Sequence, residues 1–316
     1  MILVTGATGL VGAHLLCQLV KNGENVRALY REKASIELVK KVFLLREVNL
    51  VLLEKVQWHQ ADITDIPALA PAFEGIEKVY HCAAFISFSN SHFSILKKVN
   101  IEGTANMVNL SLMHGVKKFC HVSSVATLGN PKNGKQIDED CHWNPDDDNN
   151  VYAITKYGAE MEVWRAAQEG LPVVVVNPSV IIGPSFFESG SGVIFKLIEN
   201  GLSYYPSGGV GIIHIDKVVD YIIKLMDTPI AGERFILSDE NMLYKDLLES
   251  VALQTSKKPP TKKVGKTALA FLWRLDAFIT FITGKKRWLN REMARTLVSH
   301  NYYSNAKIKA FLEGLS

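Results

Sequence analysis

The sequence has few cysteines, little net charge and no long apolar run, and each shortage excludes a class of protein. Its four cysteines are widely spaced with no CxxC pair, which argues against a zinc site or a disulfide framework. The formal net charge of +3 over 316 residues is too small to indicate a nucleic-acid partner. No apolar run reaches the roughly 18 uncharged residues that a membrane helix requires. With 47% hydrophobic residues, the chain is long enough for one large α/β domain and a smaller companion.

The first twelve residues, MILVTGATGLVG, contain a short apolar strand followed by three spaced glycines. A side chain at any of these glycines would block the turn or hold the backbone away from a pyrophosphate. The helix that follows presents free N–H groups and a partial positive charge to the anion. The stretch therefore predicts a dinucleotide-binding loop, made of Thr5, Gly6, Thr8, Gly9, Leu10, Val11 and Gly12.

Two further features bear on where the protein works and whether it holds a metal. The predicted strand begins at residue 2, which leaves no room for a signal peptide ahead of it, so we expect a cytoplasmic protein. His81 beside Cys82 lacks partners at ligand spacing, and Asp146-Asp147-Asp148 is interpreted as solvated surface. No metal site is predicted.

The end of the second predicted strand bears on the choice of cofactor. Proteins that bind the adenosine ribose of NAD usually carry Asp or Glu about 20 residues after the glycines, whereas here Tyr30 is followed by Arg31 and Lys33. A cation suits a 2′-phosphate, which favours NADP, although Arg31 as a solvated loop charge, and hence NAD, stays open. Asp62 could accept a hydrogen bond from the adenine amino group or cap a helix over 67–73.

Strands and helices alternate five times before residue 130. Helices are predicted over 34–54 and 100–113, and strands end at Ala61-Asp62-Ile63, Cys82-Ala83-Ala84 and Ser123-Ser124. The small residues at 82–84 would let a dinucleotide lie against the backbone. This alternation predicts an α/β protein with a Rossmann-type, doubly wound parallel sheet.

Tyr152 and Lys156 form a candidate proton-transfer pair. Their spacing of four residues places the phenol and the ammonium on one face of a predicted helix, one turn apart. A nearby cation stabilises the phenolate of a tyrosine that otherwise ionises near pH 10. A surface tyrosine beside a solvated lysine would show the same spacing. The order of glycine loop, Asn100, Ser123-Ser124 and then this pair favours the catalytic interpretation.

In this order of motifs the sequence resembles the extended short-chain dehydrogenase/reductase family. The resemblance covers nearly all of the first two-thirds of the chain. It rests on TGATGLVG at 5–12, ADI at 61–63, CAA at 82–84, Asn100, VSS at 122–124, YAITK at 152–156 and NPSVIIGP at 177–184.

The resemblance implies a role for each matching residue. Tyr152 would give a proton to a carbonyl oxygen, and Lys156 would lower the pKa of Tyr152 and bond the nicotinamide ribose. Ser124, rather than Ser123, would polarise the carbonyl. Asn100 would anchor the active-site helix and a proton-relay water. The further cofactor contacts that it implies are Asp62, Ile63, Ala83, Ala84, Ser123, Pro178, Ser179 and Val180.

Within the family, the residues at 26–31 and 177–184 look most like the branch of dihydroflavonol reductases, cinnamoyl-CoA reductases and 3β-hydroxysteroid dehydrogenases. Sugar-nucleotide dehydratases carry an Asp-Glu pair after the Ser/Thr position, but here Val125-Ala126 follow Ser124, which disfavours dehydration. We therefore expect NADP(H)-dependent reduction of a ketone or aldehyde on a hydrophobic small molecule. The alternatives are a nucleotide-sugar epimerase with tightly held NAD and a non-catalytic nucleotide-sensing protein.

The C-terminal part is expected to bind the substrate. The predicted dinucleotide-binding domain spans 1–177 and about 212–238, and a smaller, mostly helical substrate domain spans 178–211 and 239–316. The apolar stretch at 267–283, TALAFLWRLDAFITFIT, is flanked by lysines and by Lys285-Lys286-Arg287. It could roof an apolar substrate pocket, which we favour, or lie on an anionic membrane surface. By resemblance alone, the helices that start near Asn100 and Tyr152 predict a homodimer.

Overall fold

The structure is a computed structural model that describes residues 1–131, 136–184, 192–283, 289 and 291–315. The basic residues at 285–287 lie outside this part. The strands are β1 (Ile2–Thr5), β2 (Val26–Tyr30), β3 (Gln57–Gln60), β4 (Lys78–His81), β5 (Lys118–Val122), β6 (Val173–Pro178), β7 (Val180–Ile182), β8 (Tyr204–Pro206), β9 (Gly209–His214), β10 (Glu233–Leu237), β11 (Glu240–Leu243), β12 (Lys262–Val264) and β13 (His300–Asn301). The helices are α1 (Leu10–Lys21), α2 (Ile36–Leu45), α3 (Ile66–Leu69), α4 (Phe93–Leu96), α5 (Gly103–Met113), α6 (Val151–Gln168), α7 (Gly192–Glu199), α8 (Ile215–Met226), α9 (Tyr244–Gln254), α10 (Lys266–Thr283), α11 (Arg291–Thr296) and α12 (Ala306–Glu313).

Seven strands of the described residues form one parallel sheet in the order β3-β2-β1-β4-β5-β6-β10. Successive side chains of β1 alternate between the faces. Ile2 and Val4 pack in the hydrophobic cluster that holds α1 and α8, and Leu3 in the cluster that holds α5 and α6. The four consecutive valines at 173–176 of β6 are fully buried, as in a parallel strand covered on both faces. The predicted doubly wound fold is confirmed.

The strand order creates the crevice in which the site lies. From β1 the chain moves outward to β2 and β3, then returns to the other side of β1 to form β4. The connections after β1 and β4 therefore leave the sheet in opposite directions and open a crevice at the carboxyl ends of these strands.

Two predicted helices have different bounds in the structure. The helix expected over 34–54 ends at Leu45, because Glu47 adopts a left-handed backbone conformation (φ 54°). Asn49 then accepts a hydrogen bond from Val51 N–H and starts a 3₁₀ segment, Leu50–Lys55. The helix expected from residue 100 begins earlier, at Phe93, and passes through a π-helical turn, Lys97–Glu102, before α5.

The chain after β6 builds a second, smaller sheet. Strand β9 pairs with β7 and β13 in parallel and with β11 in antiparallel orientation, while β8 and β12 form a separate parallel pair. Between these, β10 returns to the main sheet beside β6. Among the described residues, no helix is both long and apolar enough to cross a membrane. The domain limits and the homodimer stay predictions.

Candidate functional site

The glycine loop between β1 and α1 is closed so tightly that it excludes side chains. Gly6 has φ 61°, and a Cβ there would lie 2.7 Å from Ala83 N. A Cβ on Gly12 would lie 2.1 Å from Gly6 O, a carbonyl that accepts the Gly9 N–H at 2.9 Å. Gly9 precedes α1 and has no side chain to cover the first N–H groups of the helix. The loop is thus a backbone cradle of the kind that holds a pyrophosphate.

Thr5 connects this cradle to the neighbouring strand. Its side chain is fully buried, its Oγ1 accepts from Ala83 N–H at 3.2 Å, and it lies 2.7 Å from His81 Nδ1. His81 Nε2 lies 3.0 Å from Thr104 Oγ1. Burial, with a smaller contribution from Lys156, lowers the pKa of His81 to about 3. His81 is therefore a neutral core histidine, and Thr5 could meet a dinucleotide only through its backbone. Thr8 is half-buried in the cradle itself.

Arg31 and Asp62 lie side by side at the carboxyl ends of β2 and β3. The Arg31 Nη1 is 3.9 Å from Asp62 Oδ2, and the Arg31 side chain is 68% exposed, so its guanidinium is open to a ligand. Asp62 Oδ1 accepts from the backbone N–H and the hydroxyl of Thr64. Asp62 does not cap the helix that begins at residue 66. That cap is Asp65, which has an extended backbone conformation and whose side chain accepts from Ala68 N–H.

Small or buried groups line the rest of the crevice. Directly after β4, Ala83 is half-buried and Ala84 is exposed, and Ile63 is buried with its carbonyl accepting from Asn106 Nδ2. Pro178, Ser179 and Val180 lie where β6 leads into β7. Within the described part of the chain, the Ser179 hydroxyl is buried without a hydrogen-bond partner. An orphaned hydroxyl at the end of β6, on the same edge of the sheet as the backbone cradle, fits a bound nicotinamide dinucleotide.

Ser124 and Tyr152 meet where β5 ends and α6 begins. Asn150 accepts from Ala153 N–H and caps α6, which places Tyr152 in the first turn of the helix. Ser124 lies within reach of the Tyr152 hydroxyl and lowers the pKa of Tyr152, and Ser124 Oγ accepts from Ala126 N–H. The Tyr152 ring contacts Phe88 edge-on, with the ring centroids 5.5 Å apart. The two hydroxyls thus form a single polar point at the carboxyl edge of the sheet.

Lys156 lies on the same helix but is not directed at Tyr152. It is 2% exposed, and its Nζ donates to the Val122 carbonyl oxygen at 2.9 Å. Burial lowers the pKa of Lys156 to about 8, against the opposite effects of Glu160 and Cys82. That Lys156 lowers the pKa of Tyr152 stays a prediction from the resemblance. Burial raises the pKa of Tyr152, and the hydrogen bond with Ser124 opposes that rise.

Asn100 fastens the loop after β4 to the active-site helix. It is buried in the π-helical turn; its Oδ1 accepts from Phe85 N–H, and its Nδ2 donates to Phe85 O and to Thr155 Oγ1. Single π-helical turns of this kind are frequent at functional sites. The structure thus brings Asn100 to α6, one residue from Lys156.

Glu160 is a buried residue next to the site that the sequence analysis missed, and it holds the surrounding elements together. Its buried carboxylate lies one turn after Lys156 and lies 3.6 Å from Arg234 Nη1. It gathers hydrogen bonds from the ends of β5 and β6 and from α6 itself, donated by Ser123, Thr127, Asn177 and Trp164 at 2.7–3.2 Å. Its position eight residues after Tyr152, on the same helix face, was the available signal.

Lys156 gives the protein a pH-dependent stability that Lys156→Met should remove. The folded pKa of about 8 is below the ordinary 10.5, so between these values the unfolded chain binds more protons than the folded one. The parent therefore gains free energy of unfolding as pH rises through this window, by about 3 kcal/mol for the full shift. Urea unfolding from pH 7 to 10.5 should show this gain for the parent and for an exposed control, Lys98→Met. Parallel curves for the parent and Lys156→Met would contradict it.

The cradle, the crevice and the Ser124–Tyr152–Lys156 group together define a nicotinamide-dependent oxidoreductase on a Rossmann fold. The chain belongs to the NAD dependent epimerase/dehydratase family, whose model matches residues 2–235. It is an NAD(P)-dependent oxidoreductase of the extended short-chain dehydrogenase/reductase type.

Several curated relatives are similar over most of the chain. It is 29% identical over 252 residues to sterol demethylase protein B of Methylococcus capsulatus, covering 78% of this chain and 72% of that protein. It is 29% identical over 277 residues to a putative dihydroflavonol 4-reductase of Synechocystis, covering 85% and 77%. Identity to tetraketide alpha-pyrone reductase 2 of Arabidopsis thaliana is 28%, covering 78% and 80%.

Solved structures share the fold. The crystal structure of gox2253 superposes with a TM-score of 0.81 at 28% identity and covers 99% of this chain and 92% of that chain. The UDP-glucose 4-epimerase of Thermus thermophilus in complex with NAD superposes with a TM-score of 0.72 at 19% identity, covering 98% and 92%. At that identity the second comparison supports the fold only.

Proposed function

We propose that this protein is an NADP(H)-dependent reductase that acts on a ketone or aldehyde of a hydrophobic small molecule. The observation that carries the proposal is the approach of the Ser124 and Tyr152 side chains at the edge of the sheet that also carries a cradle excluding side chains. The relatives named as reductases support it, because they match this chain over about four-fifths of its length.

A dinucleotide would be held by the cradle at 5–12, with Arg31 at the adenosine ribose and Ser179 near the nicotinamide. When bound, NADPH supplies the hydride. Ser124 and Tyr152 then both donate to the carbonyl oxygen, which polarises the bond and stabilises the developing negative charge. Tyr152 finally transfers its proton to that oxygen.

The raised pKa of Tyr152 suits a proton donor that must stay protonated at neutral pH. Lys156 places a cation a single turn away, where it favours the phenolate that remains after proton transfer. Lys156 Nζ now donates to Val122 O, and with the cofactor bound it would donate to a ribose hydroxyl instead. Asn100 holds the helix that carries both residues.

The experiment that tests the function is a screen of ketones and aldehydes of increasing hydrophobicity with the purified protein, following NADPH oxidation. Turnover that rises with substrate hydrophobicity is the expected result. If instead the purified protein retains NAD tightly and interconverts nucleotide sugars without net oxidation, the epimerase alternative holds. If no carbonyl compound is turned over while NADPH binds, the nucleotide-sensing alternative holds.

Arg31→Ala should raise the KM for NADPH by about 10- to 100-fold and leave the KM for NADH nearly unchanged. A charge-assisted hydrogen bond to a 2′-phosphate contributes about 1.5–3 kcal/mol, and NADH has no such phosphate. Steady-state kinetics with both cofactors measure the change, with Lys41→Ala on α2 as an exposed control. A parent enzyme that binds NADH more tightly than NADPH would overturn the role of Arg31.

A further inference from the structure

Helix α10 exposes a continuous apolar stripe. Phe271, Leu275, Ile279 and Ile282 are 66%, 41%, 46% and 65% exposed, and spacings of four, four and three residues place them on one face of the helix. The opposite face is already used, since Leu269 packs in a cluster with Leu289 and Ala294. The stripe is therefore a second apolar face that the described part of the chain does not cover.

This exposure argues against the expectation that the stretch roofs a substrate pocket. Side chains that line an enclosed apolar pocket are largely shielded from water, whereas Phe271 and Ile282 keep about two-thirds of their surface exposed. Single apolar residues at a surface need no explanation, but a row of four large ones marks an interaction site.

The charge around α10 is strongly positive. The sequence from 257 to 295 contains eleven Lys and Arg but only Asp276 and Glu292 as acids, and Asp276 is buried. Because the whole chain carries only +3, the rest has more acidic than basic residues. Within this stretch, five exposed lysines belong to the described residues. They lie just before α10 or at its start: Lys257, Lys258, Lys262, Lys263 and Lys266.

We propose that the stripe, here called the α10 face, docks on the surface of an anionic lipid bilayer, with these lysines around the N-terminal end of the helix. Apolar side chains would enter the acyl boundary while the lysines contact the headgroups, the arrangement of an interfacial helix. Charge favours this occupant over a second copy, because a second copy would bring the same positive face against the first. The proposal does not rest on the proposed reductase activity.

Flotation of the full-length protein with vesicles tests the proposal. Binding is expected to vesicles that contain phosphatidylglycerol and to be at least about tenfold weaker with phosphatidylcholine alone. Raised salt should weaken it. Phe271→Ser/Ile282→Ser should lower the partition coefficient at least about tenfold through lost apolar burial. Lys263→Glu/Lys266→Glu should lower it at least about tenfold on anionic vesicles only.

Matched controls separate the α10 face from general surface properties. Leu44→Ser/Leu45→Ser replaces two exposed leucines of α2, and Lys21→Glu/Lys41→Glu reverses two exposed charges elsewhere. Both should bind vesicles like the parent. Thermal unfolding checks that the Ser variant folds, and the Glu variant gives an independent result if it does not.

Three results would overturn the proposal. One is a parent that does not bind anionic vesicles, and another is equal binding by the parent and the α10 variants. The third is a fall in solution mass for Phe271→Ser/Ile282→Ser without loss of vesicle binding, which would make the face an interface between copies. NADPH oxidation in vesicle-free buffer should be unchanged in these variants, so failure here and failure of the proposed function are distinguishable.

Discussion

Tyr152→Phe is expected to lower kcat for carbonyl reduction by about 10²- to 10⁴-fold, the usual contribution of a positioned general acid. The substitution removes the only atom of this side chain that can give a proton, and keeps the ring that contacts Phe88. Ser124 would remain to polarise the carbonyl, but its hydroxyl is too weak an acid to give up its proton at neutral pH. Single-turnover kinetics with a substrate from the carbonyl screen measure the loss.

Tyr152→Phe should leave the binding of NADPH and the geometry of the site unchanged. The dissociation constant for NADPH should stay within about twofold, because the cradle at 5–12 is untouched. Tyr157→Phe is the matched control, since that ring stacks on Trp143 with its centroid 4.6 Å away and lies on another part of α6. If Tyr152→Phe reduced the substrate as fast as the parent, the assignment of Tyr152 as proton donor would be wrong.

Glu160→Leu is expected to lower the free energy of unfolding by about 3–5 kcal/mol, as when one partner of a buried ion pair is removed. It leaves the partly buried Arg234 without its carboxylate. It also leaves four hydrogen-bond donors without their acceptor, which adds a desolvation cost. The four donors are Ser123, Thr127, Asn177 and Trp164. Urea unfolding measures the change.

Three further variants show which interactions of Glu160 account for the loss of stability. Glu160→Gln keeps an acceptor oxygen and should be less destabilised than Glu160→Leu. Glu162→Gln removes a half-exposed partner of Arg165 on the same helix and should cost less than about 1 kcal/mol. Glu160→Leu/Arg234→Met removes both charges and should recover part of the loss. Equal stability of the parent and Glu160→Leu would contradict a structural role for this network.

Local spacing was enough to predict the glycine loop, the alternation of strands and helices, and the helix that carries Tyr152 and Lys156. These features depend on residues that are neighbours in the chain, where the periods of helix and strand and the conformational limits of glycine act directly. The bounds were less predictable. Glu47 ends α2 by adopting a left-handed backbone conformation, which a glutamate in the sequence does not predict.

The cap at Asp65 shows the same limit at close range. Both Asp62 and Asp65 precede the helix, and either carboxylate suits a cap. The backbone path selects Asp65, because Asp62 is held by Thr64 and lies next to Arg31 across the strand boundary. The hydrogen bonds between Asp62 and Thr64 and the extended backbone at Asp65 thus decided a question that the sequence left open.

The sequence by itself determined that the chain forms a doubly wound parallel sheet with a glycine cradle, because hydrophobic period, glycine spacing and motif order are local properties. Only the tertiary structure decided that Lys156 bonds Val122 and that Glu160 gathers donors from strands far apart in the chain. It also decided that one face of α10 stays exposed. Those contacts depend on how the packed elements are aligned and on how far each group is removed from solvent. The spacing of residues along the sequence predicts neither.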